Sequence, residues 1–278
     1  MSALTTDRVA ELVRARYRQE GAPVPVATTP ALEGLLAHRS VRAFLPEAPP
    51  DGLVETLIAA AQSASSSSNL QPWSVVAVTD PDRKARLSKL VGDQAFVREA
   101  PLFLVWLIDF NRLTKVAEAQ HRAVEGLDYT ESFLLGAVDT SLAAQNAFVA
   151  LESLGFGAVC VGAIRNRPAE VAAELNLPPK VFALFGMAIG RPDPARPAAI
   201  KPRLPQTAVL FREQYAWRHA QAVAVERYNP AIRSFQAEQG MPVQSWTVQA
   251  VTRTRDHTSL AGRHVIKAVL RGLGFALR

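Results

Sequence analysis

SASSSSNLQPW, residues 63–73, has the composition of a flexible tether: five serines in six positions, then an amide-rich step into a proline. Its neighbours decide otherwise. Upstream, residues 52–64 place Leu53, Leu57, Ile58 and Ala61 on one stripe at helical spacing, with Asp51 positioned to cap the first turn. Downstream, SVVAVT at 74–79 is an apolar run of strand length. A tether would separate two self-contained folding units, whereas here a helix and a strand of one α/β unit stand a few residues apart. The serines therefore form a sharp turn. Serine and asparagine satisfy their own backbone in such turns and present hydroxyls and amides outward.

Working outward, residues 6–19 carry Val9, Leu12, Val13 and Tyr17 at helical spacing, and a loop with prolines at 23, 25 and 30 follows. Residues 31–38 form a short helical turn, and the prolines at 46, 49 and 50 forbid regular structure in HRSVRAFLPEAPP, residues 38–50. Asp80 caps a helix over 80–91 with Pro81 in its first position. PLFLVWLID (101–109), GAVCVGAI (157–164) and VFALFGMAIG (181–190) read as further strands. Residues 130–154 form a long helix, apolar on all sides, suited to a core or a subunit interface and ended by Gly155 and Gly157. An Asn166-capped helix covers 166–175, helical patterns recur at 212–228 and 259–273, and 238–245 is a polar break. No internal repeat is present.

Composition narrows the class. The chain has 278 residues, 49% of them hydrophobic, enough for a substantial core. No window reads as a membrane span, and Asp7, Glu11 and Arg14 interrupt the apolar segment that a secretory signal needs. The single cysteine, Cys160, excludes an internal disulfide and fits a reducing, cytoplasmic setting; within its Ala/Val run it reads as a small buried hydrophobe. The five histidines are scattered and form no metal-ligand pattern. Six of the Lys/Arg side chains, against one acid, fall between Arg253 and Arg278. Only Phe275 interleaves with them, so this end reads as a solvated face or subunit contact sooner than a nucleic-acid platform, with attraction of a polyanionic small molecule such as a dinucleotide as a third option. A non-enzymatic binder of nucleic acid or another anionic partner through this end is the competing class.

Two clusters carry the chemistry. His38-Arg39-Ser40-Val41-Arg42 offers an imidazole, two guanidinium groups and a hydroxyl, and Lys201-Pro202-Arg203 offers an ammonium and a guanidinium stiffened by proline. A phosphate monoester wants this mixture of planar forks, point charge and short donor. In an extended segment Arg39 and Val41 would point one way, and His38, Ser40 and Arg42 the other.

Taken in order, HRSVRAFLPEAPP, SSSSNLQPWSVVAVTDPDRKARL, GDQAFVREAPLFLVWLID, GAVDTSLAAQNAFVALESLGFGAVCVGAIRN, LPPKVFALFGMAIGRPD and KPRLP resemble the FMN-dependent nitroreductase/flavin reductase family, in particular its oxygen-insensitive NADPH nitroreductase branch. The resemblance spans roughly residues 35–205, with a weaker echo to the C-terminus. It implies an α+β nitroreductase-like fold: a mixed central sheet flanked by helices, in an intertwined homodimer with FMN in clefts between subunits. Residues 1–30 would be an N-terminal extension, and residues 31–278 one FMN-binding domain with a helical C-terminal extension. His38, Arg39 and Ser40 would meet the FMN phosphate with Lys201 and Arg203, and Arg42 would lie by the flavin N1/O2 edge. Ser66, Ser67 and Ser68 would hydrogen-bond the flavin, with Asn69 shaping their turn. Gln94 would contact the pyrimidine edge, and the backbone of Val161, Gly162 and Ala163 would approach N5.

The implied reaction is ping-pong transfer of hydride from NADPH or NADH, through flavin N5, to nitroaromatic, quinone or flavin acceptors. A dedicated flavin reductase is the alternative within the enzyme class. The cofactor carries the chemistry, so no protein acid–base pair or metal is required. Two features depart from the family pattern. Cys160 replaces a common tyrosine, and FQAEQGMPVQSW (235–246) lacks the arginines that would hold a ribose phosphate, with Glu238 opposing one instead. NADH or dual use is therefore open. The four tryptophans read as packing residues, and His121, His219, His257 and His264 as surface polarity.

Overall fold

A computed structural model describes residues 3–18 and 27–278; Pro23 and Pro25 of the expected loop lie outside the described residues. The chain divides into two compact units, one made of residues up to Arg39 together with Ala198–Leu260, the other of Ser40–Pro197 with Ala261–Arg278.

The first, a helical unit, contains α1 (Ala3–Tyr17) and α2 (Pro30–Ala37). Val9, Leu12 and Val13 bury the apolar stripe of α1, which packs against α2, so α1 is built into the unit and not laid on its surface. Later in the chain this unit adds two helices, described below as α9 and α10. Thr29 caps α2 by accepting from Leu32 N at 3.2 Å, with Pro30 opening the helix.

The second, a sheet unit, runs α3 (Leu53–Gln62), β1 (Trp73–Val78), α4 (Pro81–Leu90), α5 (Ala95–Glu99), β2 (Leu102–Asp109), α6 (Asn111–Ala119), α7 (Thr130–Ser153), β3 (Gly157–Val161), α8 (Pro168–Glu174) and β4 (Val181–Gly190). The strands lie in the order β1-β2-β4-β3, and all three ladders are antiparallel. The parallel pairing in this sheet is one bridge, Ser40 to Ala158 beside β3, so the extended segment after Arg39 starts a further strand position. β2 is buried along its whole length between its two neighbours, as its unbroken apolar run requires. Trp106 at its centre meets Trp73 at 5.9 Å between ring centroids.

In the helical unit, α9 spans His219–Glu238 and α10 spans Trp246–Thr254; α11 (Ile266–Gly272) closes the sheet unit. Leu270 and Phe275 are buried there, and the backbone N–H of Arg278 donates to Asp128 O at 2.9 Å. The basic C-terminal end is thus woven into a core at its apolar positions while Lys267 and Arg271 are exposed.

Several expectations need correction. Asp51 does not cap α3. Pro50-Asp51-Gly52-Leu53 closes a turn through Leu53 N to Pro50 O at 3.2 Å, and Gly52 takes the cap position at φ 80°, which glycine adopts without strain. Arg167, not Asn166, precedes α8, because the Asn166 side chain is committed to Arg263 Nε at 2.8 Å. α9 begins seven residues later than expected and runs on through Pro230 to Glu238. Gly262 at φ 83° breaks the last helical pattern into short turns and α11. α5, α6 and α10 occupy stretches where the sequence reading placed no element. Trp217 is 56% exposed, so it is not a packing residue.

α7 is long and apolar enough to cross a membrane by length and composition. Its Gly136, Asp139, Thr140, Ala143, Ala144, Ala147, Phe148 and Leu151 are buried, and it packs on α3 and β2, which accounts for that composition as a core helix. Its opposite side exposes Leu134, Val138 and Leu142 at four-residue spacing.

Candidate active site

The serine turn is held in an unusual backbone conformation. Ser67–Asn69 form a single 3₁₀ turn, with Ser68 at φ 49°, Asn69 at φ 53° and Gln71 at φ 48°. Left-handed backbone is unfavourable for residues with a Cβ and persists when surrounding bonds impose it. Those bonds come from Asp139, buried on α7. Its carboxylate accepts from the Ser66 hydroxyl at 2.6 Å and from Ser67 N at 3.2 Å, and the Ser66 hydroxyl in turn accepts from Gln71 N at 2.9 Å. On the far side, the Arg112 guanidinium donates to Gln71 O and, at 2.8 Å, to Trp73 O. Ser66 therefore spends its proton inside the protein and serves the turn, while Ser67, Ser68 and Asn69 stand exposed, with Asn69 Oδ1 accepting from Gln71 Nε2 at 3.1 Å.

Gln94 sits at the start of α5, where its Nε2 donates to Val91 O at 3.0 Å and its own carbonyl accepts from Ser88 Oγ at 2.8 Å. One amide hydrogen and the amide oxygen remain for a ligand. Val161 ends β3 and is buried; Gly162 opens a 3₁₀ turn, Gly162–Arg165, in which Ala163 is also buried. A Cβ at Gly162 would meet nothing closer than 3.5 Å, so that glycine leaves the backbone approachable without being forced by its own chain.

The extended segment behaves differently from strict alternation. Val41 is buried, but Arg39 is exposed instead of sharing its side, because α2 ends at His38 and the pleat starts only at the Ser40 bridge. Ser40 is half-buried. Solvent reaches Arg42, yet surrounding protein desolvates it and lowers its guanidinium pKa. Cys160 is exposed, not buried: it alternates with buried Val159 and Val161 on an edge strand, although nearby protein desolvates the thiol and raises its pKa.

In the helical unit, two clusters far apart in the chain share one anchor. The buried Arg16 guanidinium donates to His38 O at 2.8 Å and Leu36 O at 3.0 Å through Nη2, and to Lys201 O at 2.8 Å through Nη1. The main chains carrying His38-Arg39 and Lys201-Pro202-Arg203 are therefore brought together. Arg203 N donates to Arg16 O at 2.9 Å and the Tyr228 hydroxyl to Pro202 O at 2.8 Å, so three successive residues are pinned by their backbone. The side chains of Lys201 and Arg203 line a cavity of about 600 Å³ with Tyr17, Phe235, Trp246 and Arg253. Lys201 Nζ lies 5.9 Å from the Phe235 ring centroid.

Glu238, expected to repel a ribose phosphate, is compensated. Arg18 grips both its oxygens, at 2.6 and 2.7 Å, and with Ser234 holds its carboxyl down to about 2. Among the described residues no group of three or more acidic, His or Cys side chains is placed to hold a metal.

The donor set suits FMN. Guanidinium, ammonium and imidazole groups on pinned backbone fit a phosphate dianion, and an exposed run of hydroxyls and amides fits a polar ring edge. Arg16 and Asp139 stand outside the residues expected from sequence. Each was detectable as a charge on an apolar stripe: Arg16 continues the Val9, Leu12, Val13 series, and Asp139 is the only ionisable residue between Glu131 and Glu152.

These features define an α+β protein whose cationic and hydroxyl-bearing loops are pinned from beneath by buried charges. The chain belongs to the Nitroreductase family, matching it over residues 35–191 and matching the family's C-terminal domain over residues 201–278. It is 37% identical to the FMN reductase [NAD(P)H] of Bacillus subtilis over 219 residues, covering 78% of this chain and 87% of that protein. It is 43% identical to the oxygen-insensitive NADPH nitroreductase of Salmonella typhimurium over 188 residues, 67% of this chain and 75% of the relative. Among solved structures, NADPH:FMN oxidoreductase from Vibrio harveyi complexed with NAD+ superposes with a TM-score of 0.78 at 35% identity, covering 89% of this chain and 99% of that one. The resemblance drawn from the six sequence blocks is borne out.

Proposed function

We propose that the protein is an FMN-dependent oxidoreductase that transfers reducing equivalents from NAD(P)H to nitroaromatic, quinone or flavin acceptors. Family membership supports the class, and the observation that carries the site is the convergence of the His38 and Lys201 main chains on Arg16. When bound, FMN supplies two-electron redox chemistry between nicotinamide and acceptor, which use the ring face in turn.

The chain's own residues bind and polarise. His38, Arg39, Ser40, Lys201 and Arg203 hold the phosphate through charge-assisted hydrogen bonds. Arg42 would supply a fixed cation to the N1/O2 edge of the bound flavin, and its partial desolvation would strengthen that interaction. Ser67, Ser68 and Asn69 offer donors to the ring, and Ser66 keeps their turn in shape. Gln94 offers the free half of its amide to the pyrimidine edge, and Val161, Gly162 and Ala163 bring bare backbone towards N5.

The working form is a homodimer. The exposed stripe Leu134, Val138 and Leu142 on α7 supports it, since a row of large apolar side chains on a long helix calls for a covering partner. A cytoplasmic setting accords with nicotinamide as donor and with one exposed, unbridged cysteine.

Purified protein is expected to be yellow, to release about one FMN per chain, and to sediment as a dimer. Steady-state rates with NADH and NADPH across the three acceptor classes should give parallel double-reciprocal plots. Preference for NADPH above about a hundredfold, or about 2.7 kcal/mol, would assign the ribose phosphate to Arg253 in the cavity beside Lys201 and Arg203. Activity confined to free flavin would select the dedicated flavin reductase. Colourless protein that FMN does not reconstitute, yet which shifts DNA in a salt-dependent manner, would overturn the proposal in favour of a nucleic-acid binder.

A further inference from the structure

Helix α1 lies wholly before residue 35, where the family match begins, so nothing in that match explains why its apolar stripe ends in a buried arginine. A guanidinium out of water needs partners for its donors, and Arg16 donates to three main-chain carbonyls, those of Leu36, His38 and Lys201. Carbonyls are an informative choice. A bond to a carbonyl fixes backbone, so each of these contacts holds main chain.

The residue works from both ends. While its guanidinium takes Lys201 O, its own carbonyl accepts from Arg203 N at 2.9 Å, and Tyr228 secures Pro202 O between them. The proline already restricts this tripeptide, so the three bonds leave its backbone no further freedom. The bond to His38 O lies at the C-terminal cap of α2, directly before Arg39. Arg16 thus bolts together the two segments whose side chains are the phosphate ligands of the proposed function.

We infer that Arg16 is a positioning residue for the cofactor phosphate, and that α1 preorganises that half of the site. The inference rests on the proposed function. Preorganisation raises affinity by removing the ordering cost that binding would otherwise carry. The effect should be confined to the phosphate, because the residues expected at the ring are held by Asp139 and the sheet unit.

The test compares FMN with riboflavin, which lacks the phosphate, by fluorescence titration of flavin-stripped full-length protein. Arg16→Gln removes the charge and the fork; Arg16→Lys keeps the charge but cannot span three carbonyls, and it remains informative if the glutamine variant fails to fold. Circular dichroism and Tm monitor the fold. FMN affinity is expected to fall about 10- to 100-fold while riboflavin affinity changes less than about threefold. Equal losses for both flavins, or no loss, in a wild-type background that prefers FMN would overturn the role of Arg16 and leave the proposed function standing. Wild-type protein that binds the two flavins equally would overturn the phosphate site itself, and this inference with it.

Discussion

Arg16 in the helical unit and Asp139 in the sheet unit are buried charges of opposite sign, each on the apolar stripe of a helix, each bonded to a loop that carries candidate ligand groups. They differ in what they hold. Arg16, rich in donors, collects three carbonyls and so holds its loops through their backbone. Asp139, an acceptor only, collects a hydroxyl and an N–H and leaves the remaining hydroxyls and amides of the serine turn projecting. A loop meant to offer donors can be anchored through its carbonyls or through a sacrificed donor. The basic loops use the first route and the serine turn uses the second, at the expense of Ser66.

The comparison can be broken most forcefully at Asp139. Asp139→Ala leaves the Ser66 hydroxyl and Ser67 N–H unpaired beneath a turn in left-handed backbone, and is expected to cost about 2–3 kcal/mol in urea unfolding. Asp139→Asn retains an acceptor and should lose roughly half as much. Equal losses would mean that charge, not acceptor geometry, holds the turn.

A smaller effect is expected at Arg42, which projects towards solvent and anchors nothing in the described residues. Arg42→Ala should slow flavin reduction in stopped flow by about tenfold, near 1.4 kcal/mol, with Tm unchanged. A lowered Tm with unchanged reduction would move Arg42 from the ligand-facing group to the anchors.

The mildest probe is acid. Glu238 titrates at about 2 in the folded chain against an ordinary 4.5, so its clasp with Arg18 stabilises fully above pH 4.5 and is lost as pH falls through about 2. Thermal melts across that window should decline less steeply in Glu238→Gln than in wild type. Identical slopes would show that this exposed pair does not secure the end of α1 to α9.

Much of the fold was legible. β4 falls on 181–190 as expected and β2 differs by one residue, because continuous apolar runs flanked by turn residues admit few alternatives. Asp80 caps α4 through Arg83 N at 2.7 Å, since the Asp-Pro signature is local. The cap at Asp51 failed because a Pro-Asp-Gly turn competes for the same residues, and Cys160 was misplaced because apolar neighbours do not reveal which side of an edge strand is covered. The site was legible as ligand types only.

What the sequence determined by itself was the inventory: an α/β unit around a serine turn, strands of definite length, two cationic clusters of phosphate-binding composition, and the family they indicate. Those follow from periodicity, turn chemistry and side-chain donors, all readable within a few residues. Only the tertiary structure decided that His38 and Lys201 share an anchor, that Ser66 is structural, and that the charge of Glu238 is already balanced. Each of these depends on partners 22 to 220 residues apart, and a hydrogen bond is specified by distance and angle in space, which no local pattern encodes.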